Sequence, residues 1–432
     1  MFDRIFVPAP FRDALSDESW LQAMLDVERA LAAAQSSAGV IPADAARAIA
    51  EACNAERFDP EAIGDAGRVA GNPVEPLVRE LSAVVEGDAA GSVHWGATSQ
   101  DILDTASMLV SRRLLDLIVD ALDSVATECA GLAEAHRSTP MAGRTLLQQA
   151  VPTTFGLKAA GWLVGVLEAR GALTRIRDER LAVQLGGAAG TLSALGDAGP
   201  EVVRLLAEEL GLQEPVAPWH TNRVRVAELG GALAVAAGAV AKIALDVGLM
   251  SQTEVGEVAE AGAGGSSTMP QKHNPIGSAL ALACARHVQA QAGVLTGALP
   301  QEHERALGAW HAEWPALSGA LAYAGGAAEA AHRALDGLEI DVERMRANLE
   351  LAGGLVMAES ASFRLAEKFG SHEAREHVAE AADRSRASGR SLHEELGAEL
   401  QAGLDPADYL GSAGAFVDRA LSFYRDELGE RA

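Results

Sequence analysis

Residues 262–275 read Gly-Ala-Gly-Gly-Ser-Ser-Thr-Met-Pro-Gln-Lys-His-Asn-Pro, a polar, glycine-rich stretch between two long Ala/Leu-rich segments. Irregular backbone with so many polar groups is costly inside a helical protein unless it serves a site. Gly262, Gly264 and Gly265 permit backbone angles that let successive N–H groups converge on one anion. The stretch therefore predicts an active-site loop. A helix-to-helix linker whose hydroxyls cap the next helix is the structural alternative.

The polar residues of this loop suit proton transfer next to an anion. Ser266 and Ser267 follow the glycines, and converging amides with the charge of Lys272 would favour an ionised hydroxyl or a bound carboxylate. A phosphate-binding loop is excluded, because Lys272 lies too far from the glycines for the GxxxxGK[ST] pattern.

Residues 265–275 fill every fixed position of the GSSxMPxKxNP signature and resemble the loop of the fumarase/aspartase superfamily. The resemblance implies that Ser266 transfers a proton alpha to a substrate carboxylate. It implies that Lys272 and Asn274 complete the catalytic set, and that Ser267 and Met269 contact the substrate.

Composition limits the partners of this 432-residue chain. Its net charge is -25 without any cluster of Lys and Arg, which argues against nucleic acid and anionic membranes. The three cysteines are widely spaced and indicate neither a disulfide framework nor a zinc site. This cysteine usage fits a protein of the reducing cytoplasm. The N-terminus lacks a secretory apolar core, and the longest apolar runs are shorter than a membrane span, so we expect a cytoplasmic protein.

The stretches without proline predict long helices. They are rich in Ala and Leu, and apolar and polar residues seldom alternate in them as they would in a strand. Apolar residues recur at helical spacing from Thr105 to His136, and a second helix is predicted from Val224 to Glu260. We therefore predict an all-α fold with an N-terminal helical domain at 1–104, a central long-helix bundle at 105–350 and a C-terminal helical domain at 351–432.

Residues 94–105, HWGATSQDILDT, place Thr98 and Ser99 at the predicted start of a long helix, where free N–H groups favour an anion. A plain N-cap explains either residue equally well. The stretch resembles the first superfamily motif, HxGxTSxDxxDT, which implies that Thr98 and Ser99 bind a substrate carboxylate. It places His94 in the substrate site as well, although a lone histidine is more often structural.

Residues 143–152, GRTLLQQAVP, resemble the second superfamily motif, G-[RY]-T-H-x-Q. Thr145 and Gln148 match its substrate contacts, but Leu146 stands where most members have a proton-relaying histidine. Leucine cannot hold or transfer a proton. The bacterial carboxymuconate cycloisomerases within the superfamily also carry an apolar residue there.

Residues 301–314 keep Arg305 but lack the serines that hold a nucleotide phosphate in adenylosuccinate lyases. Arg305 could pair with one substrate carboxylate, or could equally be a structural ion-pair residue. Further similarity to the cycloisomerases lies around Gln184, His220 and Arg223. These three side chains face the site or brace the bundle.

The resemblance covers about residues 1 to 410 and is greatest to the carboxymuconate cycloisomerase branch. It implies a homotetramer with sites shared between subunits, a small di- or tricarboxylate substrate, and neither a metal nor an organic cofactor. Another lyase of the superfamily, releasing fumarate from a substituted succinate, is the alternative. The non-enzymatic alternative is a catalytically inactive helical scaffold.

Overall fold

A computed structural model describes residues 1–262, 264–265, 269, 272–397 and 404–429. Helices dominate this part of the chain, so the all-α prediction is confirmed. The first eight are α1 Asp3–Phe6, α2 Ala9–Ala14, α3 Asp17–Ser37, α4 Ala43–Ala52, α5 Pro60–Ala70, α6 Val74–Val84, α7 Ser99–Ala135 and α8 Phe155–Glu179. The others are α9 Gly199–Leu210, α10 Val224–Met250, α11 Ile276–Gly297, α12 Ala309–Leu335, α13 Val342–Glu350, α14 Ala358–Phe369, α15 Ser371–Ser388, α16 Leu392–Leu396 and α17 Ala413–Leu428.

Short strands interrupt the helices. They are β1 Pro140–Thr145, β2 Gln148–Thr154, β3 Val258–Ala259, β4 Gly264–Gly265, β5 His273–Asn274 and β6 Glu339–Ile340. The pairs β1–β2, β3–β6 and β4–β5 are antiparallel. The hairpin β1–β2 was not predicted, because its residues alternate too weakly in polarity. Its register shifts near Gly143, where a Cβ would lie 2.7 Å from the Val151 carbonyl oxygen.

Helix α7 confirms the predicted apolar stripe and begins six residues before it. Its stripe residues Val110, Leu114, Ile118, Leu122, Val125 and Cys129 are buried, and Leu132 at the end of the stripe is half-buried. Neighbours on the adjacent face, such as Leu115, are buried too. A helix buried on so wide a face packs against several partners, as expected for the core of a long-helix bundle.

The second predicted helix was wrong at its end, because α10 stops at Met250 rather than Glu260. The Glu257 N–H closes a turn onto the Met250 carbonyl, and Gly256 has a left-handed φ of 60°. The turn carries Glu257 into an ion pair with Arg144. Tertiary contacts therefore override the helical composition of this segment.

Contacts divide the chain into two compact units. Unit 1 comprises Met1–Ala121, Ala169–Gly238 and Ala283–Ala328, and unit 2 comprises Leu122–Glu168, Ala239–Leu282 and Glu329–Ala432. In unit 1, α3 packs against α4 and α9. In unit 2, α14 packs against α15 and α13 against β1. The predicted three-part division of the chain stays a prediction.

Helix α10 is apolar enough, and long enough, to span a membrane by composition alone. Half of its most apolar window is buried within the protein, as in the core helix of a bundle. The helix contains the apolar run from Leu229 to Ala241, which Glu228 and Lys242 flank.

Candidate active site

The N-terminus of α7 holds two loops of unit 1 through one buried carboxylate. Asp101 accepts hydrogen bonds from the backbone N–H groups of Thr98, Gly186 and Gly187 at 2.9 to 3.0 Å. Its Oδ1 also lies 2.7 Å from His220 Nε2. Since Asp101 is fully buried, these four contacts fix the first turn of α7 against both loops.

Arg305 joins the same cluster from the segment before α12. Its Nη1 donates to Thr98 Oγ1 at 3.1 Å and its Nη2 to the Ala188 carbonyl at 3.0 Å. Three stretches that the sequence analysis treated separately thus meet around Thr98. Ser99 lies next to Thr98 as the first residue of α7, and both are half-buried.

His94 is held by an acidic residue of α3. Its Nδ1 lies 2.6 Å from Glu28 Oε1, and Glu28 is 1% exposed. Burial lowers the pKa of His94, but the charge and hydrogen bond of Glu28 outweigh this effect and raise it above the usual value. The ring therefore carries a positive charge over a wider pH range than a free histidine.

Arg223 lies at the centre of a buried ion cluster. Its guanidinium binds Asp104 through two nitrogens at 2.7 and 3.0 Å and also binds Glu313. Asp104 further accepts from Trp310 Nε1 at 3.0 Å. Burial raises the pKa of Glu313 although Arg223 opposes that shift. Arg223 and His220 therefore brace the helices of unit 1, and their predicted contact with substrate stays a prediction.

The hairpin β1–β2 presents the second motif at its tip in unit 2. Thr145 pairs with Gln148 across a two-residue turn formed by Leu146 and Leu147. Both leucines have left-handed φ values, 50° and 64°, which are strained for residues with a bulky side chain. They are 97% and 77% exposed. Strained backbone carrying exposed apolar side chains indicates a functional tip.

The residues next to the tip of this hairpin, Arg144 and Gln149, are held by hydrogen bonds. Arg144 donates to both carboxylate oxygens of Glu257 at 2.9 and 2.7 Å, and Glu257 is buried. Asn348 donates to Glu257 Oε1 at 2.8 Å and accepts from Gln149 through its carbonyl. A bidentate pair with a further donor fixes the direction of the tip.

The signature loop is closed at its base by the pair β4–β5. Gly264 pairs with Asn274 and Gly265 with His273. Lys272 is exposed, and its N–H donates to the Met269 carbonyl at 3.0 Å. Ser266 and Ser267 lie outside the described residues, so their predicted roles stay predictions.

Glu260 occupies the N-terminus of α11 directly behind this loop. Its carboxylate accepts from the N–H groups of Gly277 and Ser278 at 2.8 Å and from the Ser278 hydroxyl at 2.6 Å. Because these helix-terminal donors bind Glu260, they cannot bind a substrate anion. Among the described residues of the loop, Lys272 and Asn274 remain the predicted anion contacts.

Known proteins are similar to this chain over nearly its whole length. A family model described as "Lyase" matches residues 6–290. The chain is 45% identical to a 3-carboxy-cis,cis-muconate cycloisomerase of Pseudomonas aeruginosa over 98% of this chain and 96% of that protein. The chain belongs to this lyase family. The expected membership of the fumarase/aspartase superfamily is thus confirmed.

Two further proteins are similar to nearly the whole chain. A nitrosuccinate lyase of Streptomyces davaonensis is 46% identical, with 95% of this chain and 92% of that protein aligned. The crystal structure of the 3-carboxy-cis,cis-muconate lactonizing enzyme from Pseudomonas putida is 42% identical, with a TM-score of 0.93 and 99% of both chains covered. The fold of the lyase family therefore extends over the entire chain.

The site residues predicted for this lyase divide between the units. Unit 1 contains the side chains His94, Thr98, Ser99, His220, Arg223 and Arg305. Unit 2 contains Thr145, Gln148, Met269, Lys272 and Asn274. A hydrogen bond brings Thr98 and Arg305 together in unit 1. In unit 2, Thr145, Gln148 and Lys272 are exposed to solvent.

Sequence reasoning missed the carboxylates that hold these side chains in place. Glu28, Asp101, Asp104 and Glu257 are buried and bind His94, His220, Arg223 and Arg144 respectively. One signal in the sequence could have indicated such a residue. Glu28 and Gln35 are polar and lie seven positions apart in a stretch rich in Ala and Leu, so they share one face of a helix. Among the described residues no group of three His, Cys, Asp or Glu could hold a metal ion, and none of the three cysteines forms a disulfide.

Proposed function

We propose that the chain is a 3-carboxy-cis,cis-muconate cycloisomerase, which forms 4-carboxymuconolactone during aromatic-acid breakdown through protocatechuate. The observation that favours this proposal over the superfamily lyases that release an amine or hydroxide is Leu146 at the exposed hairpin tip, where most of those lyases have a histidine. The 45% identity to a cycloisomerase over nearly the full length supports it.

The reaction is an addition of a carboxylate across a conjugated double bond. One carboxylate oxygen forms a C–O bond, the π bond breaks, and the carbon next to another carboxylate takes a proton. In reverse, a base removes this alpha proton and the lactone oxygen leaves as a carboxylate. The negative charge that develops on the alpha carboxylate requires donors that strengthen in the transition state.

This charge development assigns the roles. Ser266 gives the proton in lactonisation and takes it in the reverse direction. Lys272 and Asn274 stabilise the charged intermediate, and Thr98 with Ser99 binds a carboxylate. Arg305 already donates to Thr98 Oγ1, so a carboxylate accepted by Thr98 would lie next to a guanidinium charge.

Leu146 is consistent with this reaction because the leaving group of the lactone is a carboxylate. A carboxylic acid has a pKa near 4, so its anion departs without a proton from the protein. An amine or hydroxide leaving group would need a proton from the protein in order to depart. The superfamily histidine is therefore dispensable for this substrate.

The proposed enzyme is a cytoplasmic homotetramer that shares its sites between subunits. Superfamily membership supports this assembly, and the exposed Leu146 and Leu147 are apolar residues that a second copy could cover. Neither a metal nor an organic cofactor enters the proposed reaction.

Purified protein is expected to consume 3-carboxy-cis,cis-muconate and to show negligible cleavage of adenylosuccinate and argininosuccinate and negligible hydration of fumarate. Loss of the conjugated-diene ultraviolet absorbance measures the first activity, and a Ser266→Ala protein prepared in parallel is the control. Robust cleavage of adenylosuccinate with no loss of diene absorbance would overturn the proposal.

An elimination from a nitro-substituted succinate is the second candidate. The observation that favours it is the 46% identity to the nitrosuccinate lyase. Nitrite is also a weakly basic leaving group, so Leu146 suits this reaction equally well. Colorimetric nitrite release from nitrosuccinate without loss of diene absorbance would replace the first proposal with this one.

Leu146→His is expected to leave kcat for lactonisation unchanged or lower, since no proton is needed at that position. Leu147→His is the matched control, because it adds the same ring to the neighbouring tip residue. Steady-state kinetics on the two variants measures the effect. A severalfold rise in kcat for Leu146→His alone would show that proton transfer there limits the reaction.

A further inference from the structure

Helix α3 holds the segment before α7 at two points. Glu28 binds the His94 ring, and Gln35 Nε2 donates to the Trp95 carbonyl at 2.6 Å. These two residues are seven apart on α3 and each is 1% exposed. Residues seven apart lie on the same helix face, so one face of α3 sets the path of the segment that leads to Thr98.

The Glu28 carboxylate needs a positive partner. Within the part of the chain that the structure describes, its Oε2 atom is buried and has no hydrogen-bond partner, while Oε1 binds only His94. A buried carboxylate without a compensating charge is strongly disfavoured. Protonated His94 supplies this charge at 2.6 Å.

The other ring nitrogen of His94 is free to bind a ligand. Among the described residues nothing hydrogen-bonds His94 Nε2, and the side chain is 17% exposed. The backbone of His94 has a left-handed φ of 57°, a strained value for a residue other than glycine. Such strain persists where surrounding contacts impose it, often at a ligand site.

We propose that Glu28 is a positioning residue that holds His94 as an imidazolium, so that its Nε2–H donates to a substrate carboxylate. The ring precedes Thr98 by four residues, and the Ala97 N–H closes a turn onto the His94 carbonyl at 3.3 Å. This assignment rests on the proposed function only for the identity of the ligand. The charged pair itself belongs to the free protein.

The assignment predicts how substrate binding depends on pH. Burial lowers the pKa of His94, but Glu28 on α3 and Asp101 on α7 raise it above its usual value. The imidazolium therefore persists below that raised pKa and is lost as the pH rises through it. A neutral ring with its proton on Nδ1 has no Nε2–H to donate, so KM is expected to increase at high pH.

Glu28→Gln tests this assignment, because the amide keeps the size and a hydrogen-bond acceptor but removes the charge. Glu18→Gln, an exposed acid on the same helix, is the control with the same change of net charge. The measurements are the NMR titration of the His94 ring, identified by loss of its signal in His94→Gln, and KM as a function of pH. In Glu28→Gln the ring is expected to titrate at lower pH. KM should rise roughly tenfold at neutral pH with a much smaller change in kcat, since a hydrogen bond to a charged group is lost.

A His94 titration that is the same in Glu28→Gln and Glu18→Gln would overturn the proposal, and so would a lowered titration with an unchanged KM profile. If Glu28→Gln fails to fold, the His94→Gln variant tests the proposal instead. Its KM should no longer change with pH over the range in which His94 titrates in the wild type, and a KM profile like that of the wild type would overturn the proposal. Absence of turnover of the muconate by the wild-type protein would refute the proposed function. The NMR titration would still test the pairing of Glu28 with His94.

Discussion

Replacing Ser266 with alanine is expected to leave a folded protein whose kcat is lower by about 10² to 10⁴, the usual contribution of a positioned proton-transfer group. The reacting carbon must gain a proton in the proposed addition, and alanine cannot donate one. The proposed carboxylate contacts, Lys272 and Asn274, are unchanged in this variant. KM is therefore expected to change far less than kcat, which steady-state kinetics on the diene absorbance would measure.

Ser267→Ala is the matched control for this prediction. It removes the same hydroxyl from the next residue of the sequence. It should cost much less in kcat, because the proposed role of Ser267 is to contact the substrate and not to transfer a proton. Far-ultraviolet circular dichroism and gel filtration establish that both variants fold and assemble like the wild type. A larger loss of kcat in Ser267→Ala than in Ser266→Ala would mean that the two roles are exchanged.

The helices were the part of the fold that the sequence predicted well. The stripe from Val110 to Cys129 repeats at helical spacing, and a long apolar stripe has few alternatives to burial in a bundle. The end of α10 was mispredicted because the backbone turns at Gly256 to bring Glu257 to Arg144. An ion pair between residues 113 positions apart leaves no periodic signal in the sequence.

The candidate site was predictable only where a motif names its residues. The motifs identified Thr98 and Arg305 separately, and their hydrogen bond appears only in the folded chain. The buried acids Asp101 and Asp104 stand within the first motif, but the sequence does not show which cations they bind. Pairings of this kind depend on loops that meet from distant positions, so composition and spacing cannot reveal them.

Two inactive variants are expected to restore each other's activity when they are unfolded and refolded together. Thr98→Ala lacks the proposed carboxylate contact and Ser266→Ala lacks the proton donor. In a homotetramer that builds each site from different subunits, some sites of a hybrid receive Thr98 from one chain and Ser266 from another. For equal amounts and random assortment about a quarter of the sites would contain both wild-type residues.

The recovered activity distinguishes shared sites from sites built within one chain. Every chain in the mixture carries one of the two substitutions, so a site made from a single chain can never contain both Thr98 and Ser266. The same proteins mixed without unfolding are the control, and they should stay inactive while their subunits do not exchange. Differently tagged subunits, purified sequentially on both tags, establish that hybrids have formed. Hybrids as inactive as either parent would show that each site lies within one chain, and the proposed sharing between subunits would then be wrong.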